Sequence, residues 1–254
     1  MARNGAIAMT LAMISQRSIG QLVAEYPSRG SVFEKFAIDY CCHGQFSLAE
    51  ACAAYHADLT SVVEAIHDND CLRLPPRADE WDWRRVPLAM LIDEIQTRHH
   101  GLLRAELPRL GLLLDTVAVV HRIAHPEFRI LQRLYRQFVG EIVPHMLVEE
   151  HVVFPAIKRW ESGQSNAPSI DELLSEIMQM QGEHDATGRN LGNMRELTNG
   201  YQPPLDACRS VRALLSGLAA IEADMHLHLH KENNILFSRV LRSLQGMGRS
   251  VAYA

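Results

Sequence analysis

The chain has 254 residues, 47% hydrophobic and 22% charged, which is ample material for a packed core. Its formal net charge of −5 gives no electrostatic case for nucleic acid, and no run approaches the roughly 20 apolar residues of a membrane span. Five cysteines (Cys41, Cys42, Cys52, Cys71 and Cys208), odd in number and two of them adjacent, exclude a disulfide framework and suit a reducing compartment.

The opening "MARNGAIAMTLAMISQ" carries one Arg and a short apolar patch but no convincing small-x-small cleavage site. Residues 1–16 are expected to be a disordered extension, or the result of a start codon placed too early. From residue 17 to 74 the elements are short. "SIGQLVAEYP" reads as a helix stopped by Pro27, and "SRGSVFEKFAIDY" as a second short helix. "SLAEACAAYHADLTSVVEAIHDND" opens with Ser47 and Glu50, a capping box, and is expected to hold two helices, the second starting near Thr60. Residues 75–86 read as a linker, because Pro75-Pro76 cannot continue a helix.

From Pro87 the elements lengthen. Residues 87–120, 127–160, 169–198 and 205–245 each repeat apolar residues at i, i+3, i+4 and i+7. Between them stand "HRIAHPE", "ESGQSNAPS" and "NGYQPPLD", rich in turn formers. This predicts an all-α chain: a small N-terminal helical domain, an up-down four-helix bundle over 87–246, and a tail over 247–254. Pro108 and Pro144 are expected to kink their helices, and Gly182, Gly188 and Gly192 to weaken the third.

Two segments of the bundle share one polar pattern. "EIVPHMLVEEHVVF" and "DMHLHLHKENNILF" both read acid-x-x-x-His-x-x-x-Glu-x-x-aliphatic-aliphatic-Phe. Residues i and i+4 share a helix face, so His145 with Glu149, and His228 with Glu232, lie on or beside apolar stripes. Unpaired imidazoles and carboxylates there would cost several kcal/mol, and a metal removes that cost. The first helix offers His99 and His100, and the third His184. His100 precedes His145 by 45 residues and His184 precedes His228 by 44, so the bundle reads as two similar hairpins. Four His and two Glu fit two metal ions with both carboxylates bridging. Room remains for an oxo or hydroxo bridge and an exogenous ligand, and this mixed set favours iron or manganese over structural zinc.

Around this set, Glu141 and Asp224 fall four residues before the ligand histidines, as candidate partners of imidazole N–H groups or proton carriers. Glu183 adjoins His184 and is a third candidate. His226 and His230 flank His228 at i±2 and point away from the site, as does His151. Cys41 and Cys42 fall at a turn before the Ser47 helix, as candidates for redox or metal-handling work. Cys52, Cys71 and Cys208 read as packing residues.

His100, His145-x-x-x-Glu149, His184 and His228-x-x-x-Glu232 resemble the haemerythrin-like di-iron bundle. "IDYCCHGQFSLAEAC" resembles the short domain that precedes that bundle in the iron–sulfur cluster repair di-iron family. The usual Asp-Tyr-Cys-Cys-Gly-Gly is met by Asp39, Tyr40, Cys41, Cys42 and Gly44, with His43 in place of the first Gly. "EHD" at 183–185 and "ENN" at 232–234 match as well, and the resemblance covers about residues 17–243. It favours His100, with Arg104 four residues on, over His99 as ligand. It implies a cytoplasmic homodimer with two iron ions that repairs iron–sulfur clusters damaged by nitric oxide or peroxide. Its partners would be damaged iron–sulfur proteins, with nitric oxide or oxygen species as small ligands. Oxygen-carrying haemerythrins bring five histidines to the metals, and the aligned positions here supply four, which would suit reaction or iron release better than oxygen carriage. A di-iron nitric oxide or peroxide reductase and a diatomic-gas sensor or carrier are the alternatives.

Overall fold

A computed structural model describes residues 11, 13–72 and 81–251, the last seven by their backbone alone. Pro75-Pro76, most of the expected extension and residues 252–254 lie outside the described residues. The chain divides into two compact units, residues 1–87 with 229–254, and residues 88–228. The division falls within the last helix, between His228 and Leu229, rather than after it.

In the first unit, α1 (Ile19–Glu25), α2 (Gly30–Lys35), α3 (Leu48–Ala54) and α4 (Leu59–Leu72) enclose a small core that includes Ile19, Leu22, Phe33, Leu48, Val62 and Ile66. Ser18 caps α1, accepting from the Gln21 N–H at 3.3 Å. Ser47 and Glu50 form the reciprocal box expected of them, the Ser47 N–H donating to Glu50 at 2.8 Å and the Glu50 N–H to Ser47 at 3.2 Å. Ser18 and Ser47 form an antiparallel bridge that joins the two capped starts. Arg29 is buried and donates to Asp70 at 2.6 and 3.1 Å and to the Leu22 carbonyl at 3.2 Å, tying α1 to α4. The second expected helix is shorter than its sequence suggested: α2 ends at Lys35, and Ala37 adopts φ 53° where the chain turns toward Asp39. Part of the expected extension packs on the first unit. Ile14 is buried, and the Ala49 N–H donates to Ser15 O at 3.0 Å.

The second unit is a helical bundle. Its helices are α5 (88–120), α6 (127–161), α7 (Ile170–Leu197) and the first part of α8 (209–251). Each buries one apolar stripe, such as Leu103, Leu107, Leu110 and Leu114 on α5 or Leu131, Tyr135, Phe138 and Ile142 on α6. The carboxylate at the end of α6 caps the start of α5: Glu161 accepts from Leu88 N–H at 2.6 Å and Ala89 N–H at 3.0 Å. Ser169 and Glu172 form a second capping box at the start of α7. Helical structure runs on through Pro108 and Pro144. What interrupts the α-helical pattern is different: π-helical turns at Ile95–His100 in α5, Glu149–Val153 in α6 and Lys231–Phe237 in α8. Each begins or ends within a residue of a position singled out in the sequence, as π-turns at functional sites do.

The glycines separate into two kinds. A Cβ at Gly44 would stand 1.9 Å from Asn234 Oδ1, and one at Gly20 2.4 Å from the same atom, so this joint in the first unit closes only around glycine. A Cβ at Gly192, inside α7, would meet nothing within 4 Å. Gly44→Ala should destabilise the protein by about 1–3 kcal/mol through overpacking. Gly192→Ala should stabilise it by about 0.5–1 kcal/mol through helix propensity. Denaturant unfolding of the two variants checks both signs.

Candidate metal centre

The i, i+4 spacing on α6 and α8 does what helical geometry requires. His145 and Glu149 face inward together, and Glu232 follows His228 by one turn of a continuous helix. His100 and His184 come from α5 and α7. Two groups of donors result, His100, Glu149, His228, Glu232 and His145, Glu149, His184, Glu232, all eight places buried. Within each group the donor atoms lie within 4.8 Å of one another, and both glutamates belong to both groups.

Distances give the arrangement a direction. His100 Nε2 and His228 Nε2 are 3.2 Å apart, and His145 Nε2 and His184 Nε2 are 3.0 Å apart. Neighbouring ligands on one ion, each at about 2.1 Å, stand about 3 Å apart, so each imidazole pair has the spacing of a chelating pair. Glu149 reaches both pairs with different oxygens. Its Oε2 lies 3.3 Å from His100 Nε2, and its Oε1 lies 3.2 Å from His145 Nε2 and 3.7 Å from His184 Nε2. A carboxylate so placed can bridge two ions.

Protonation states suit a cation. Burial opposes the ionised form of Glu149, but the close imidazoles of His100, His145 and His184 outweigh it and hold the carboxyl well below its ordinary range. Burial, helped by the charge of His100, pushes His228 well below the ordinary imidazole value and keeps it neutral. Ionised carboxylate and neutral imidazole are the forms that ligate metals.

Outside this set, the imidazoles are held by carboxylates. His100 Nδ1 lies 2.7 Å from Glu150 Oε1, and Arg104 in turn pairs with the other oxygen of Glu150. His145 Nδ1 lies 2.7 Å from Glu183 Oε2, whose partner oxygen accepts from Gln179 at 3.0 Å. Such contacts keep the Nδ1 proton outward and aim Nε2 inward. Burial opposes the charge on Glu150 and Glu183. Arg104 and His100 keep Glu150 below the usual carboxylate range, and Gln179 and His145 do the same for Glu183.

The other candidates distribute as follows. Glu183 stands at the site through His145. Glu141 does not: it is exposed, accepting from Gln137 at 2.9 Å and lying 3.5 Å from Asn190. Asp224 meets His99, 3.0 Å from its Nδ1, rather than a ligand histidine. His99 is fully buried and stacks parallel to His228 at 5.3 Å, outside both donor groups. His230 is buried too, against Tyr40 and Asn234, and burial takes its pKa to about 3. Cys41 and Cys42 lie with Asp39 in a further close group. Cys52 is buried as expected of a packing residue, but Cys71 and Cys208 are exposed. The sequence reading missed Glu150. Arg104, four residues after His100, was the available signal, since it pairs with that carboxylate.

In the metal-free protein Glu149 links stability to pH. Its folded value is depressed, so its contribution is complete above the ordinary value of 4.5 and drains away as pH falls through the folded value. Metal-free Glu149→Gln should therefore lose less stability than wild type between about pH 5 and about pH 3. Urea unfolding followed by helical circular dichroism measures the difference.

Comparison with known proteins places both parts of the chain. Residues 15–70 match ScdA_N, a domain of unknown function, and residues 91–240 match the hemerythrin HHE cation binding domain. The iron-sulfur cluster repair protein ScdA of Staphylococcus haemolyticus is 33% identical over 230 residues, covering 89% of this chain and 99% of that protein. The iron-sulfur cluster repair protein YtfE of Escherichia coli O81 (strain ED1a) is 34% identical over 223 residues, covering 88% of this chain and 96% of its own length. YtfE of Escherichia fergusonii is 34% identical over the same span. With these relatives more than 30% identical and covered almost end to end, the chain belongs to the ScdA/YtfE family of iron–sulfur cluster repair proteins.

Proposed function

We propose that this protein repairs iron–sulfur clusters damaged by nitrosative or oxidative stress, using a di-iron centre held by its bundle. His100 and His228 would hold one iron and His145 and His184 the other, with Glu149 and Glu232 within reach of both and room for an oxo or hydroxo group. The observation that carries this reading is the shared pair of buried glutamates between two imidazole pairs, joined to relatives named for cluster repair. Bound iron supplies redox chemistry and Lewis acidity at this place.

The chain's own residues set how that iron is held. Glu150 and Glu183 fix the outer nitrogens of His100 and His145, one on each side. Arg104 and Gln179 fix those carboxylates in turn. With about four protein donors per ion, coordination positions remain for nitric oxide, an oxygen species or exchange of the iron itself. Iron supplied to a damaged client is the cargo in this reading, and Glu183, at the edge of the site, stays ionised and accepts the outer proton of His145. The partners are damaged iron–sulfur proteins. Among the described residues no helix is long and apolar enough to cross a membrane, and the reading places the protein in the cytoplasm as a homodimer. Cys41 and Cys42 take part in handling metal or electrons.

Glu150→Gln should weaken iron retention by about 10–100-fold, because His100 loses its orienting partner. Competition with a chelator, read as the rate of iron loss, measures it. For the function itself, protein loaded with isotopically labelled iron should restore a nitric-oxide-damaged iron–sulfur enzyme and leave label in its cluster. Restoration by the metal-free protein to the same extent would contradict the proposal.

A further inference from the structure

The first unit contains a second group of metal-binding donors. Asp39, Cys41 and Cys42 place a carboxylate oxygen and two sulfurs within 4.8 Å of one another. The two sulfurs are 3.8 Å apart, and Cys41 Sγ is 3.1 Å from Asp39 Oδ1. Two thiolates on one tetrahedral ion, each at about 2.3 Å, stand about 3.8 Å apart. The adjacent cysteines therefore already have the separation that chelation by both would need.

The turn is fixed from within and from behind. Asp39 Oδ1 accepts from the Cys41 N–H at 3.0 Å and the Cys42 N–H at 2.9 Å, which closes the turn. The Cys41 carbonyl accepts from Asn233 Nδ2 at 3.2 Å and Asn234 Nδ2 at 3.0 Å. The other carboxylate oxygen, Oδ2, lies 3.1 Å from His43 Nδ1, and the Tyr55 hydroxyl stands 3.3 Å from the same nitrogen. A turn that only needed capping would be served by Oδ1 alone. Here His43 orients the second oxygen as well, as outer partners orient metal-ligating carboxylates. Cys42 and His43 are both partly open to solvent, so an ion has a way in.

We propose that Asp39, Cys41 and Cys42 form a separate site for one borderline-soft divalent ion of the zinc or ferrous class, with His43 as its positioning residue. Three protein ligands leave a coordination position open, the mark of a site that exchanges what it holds rather than a closed structural one. The site does not rest on the repair reading of the bundle.

The test uses the full chain with its His–Glu centre filled, in a Cys71→Ser/Cys208→Ser background. That background removes two exposed thiols that each lie near an imidazole, Cys71 at 3.6 Å from His67 and Cys208 at 3.4 Å from His121. Anaerobic titration with Zn(II), Fe(II) and, as a spectroscopic probe, Co(II) should show about one further equivalent, with sulfur-to-cobalt charge-transfer absorption. Cys42→Ser should abolish that equivalent while leaving helicity and the metal content of the His–Glu centre unchanged. His43→Ala should weaken it by about 10–100-fold. Binding of either zinc or iron with sulfur ligation supports the site. Absence of a further equivalent, or its retention in Cys42→Ser, overturns it, and an unchanged affinity in His43→Ala overturns the part given to His43.

Discussion

Two glutamates with no exposed surface, Glu149 and Glu232, set the terms for this molecule. A carboxylate removed from water costs several kcal/mol unless positive charge or strong donors meet it. The bundle meets that cost by aiming imidazoles at the carboxylates, with His100 and His145 within 3.3 Å of Glu149. Aiming an imidazole requires control of its far nitrogen, which brings in Glu150 and Glu183. Glu150 in turn requires Arg104. Each layer exists because the one inside it would otherwise be unsatisfied. The outermost members reach solvent, where charge is inexpensive.

The backbone shares in this work. Three of the helices switch to π-helical turns beside His100, Glu149 and Glu232, while the third, which carries His184, stays α-helical throughout. A π-turn inserts a residue without ending the helix, and so re-aims the side chains that follow. On α8 the residues after Glu232 put that re-aiming to use. Asn233 and Asn234 turn their amides to the carbonyl of Cys41, and Gly20 and Gly44 make room for Asn234. The first unit thus joins the Cys-Cys turn to a segment whose register is also that of Glu232.

Much of this was legible in the residues because it obeys helical periodicity. His145 with Glu149 and His228 with Glu232 stand out as polar pairs at i, i+4 on apolar faces, and the capping box at Ser47 has a fixed spacing. What stayed hidden follows no such period. Glu150 lies about 100° round the helix from Glu149 and looks like a surface acid until α5 is packed beside it. Glu141 shares the face of His145 but sits one turn nearer the helix start, where Gln137 meets it instead of an imidazole. Asp224 is a candidate by the same i, i+4 logic and instead serves His99, across helices. The general habit of cysteine predicts packing for Cys71 and Cys208 but says nothing about a particular helix face, and both are exposed.

The centre stands or falls on metal content. Protein purified without oxygen should hold about two equivalents of iron per chain, with Glu149 and Glu232 shared between them. His184→Ala should lose at least the equivalent that His184 and His145 hold, while its helical signal is retained. Elemental analysis of the two samples side by side is the measurement. Iron below one equivalent in the wild type, and unchanged in His184→Ala, would contradict the account at its centre.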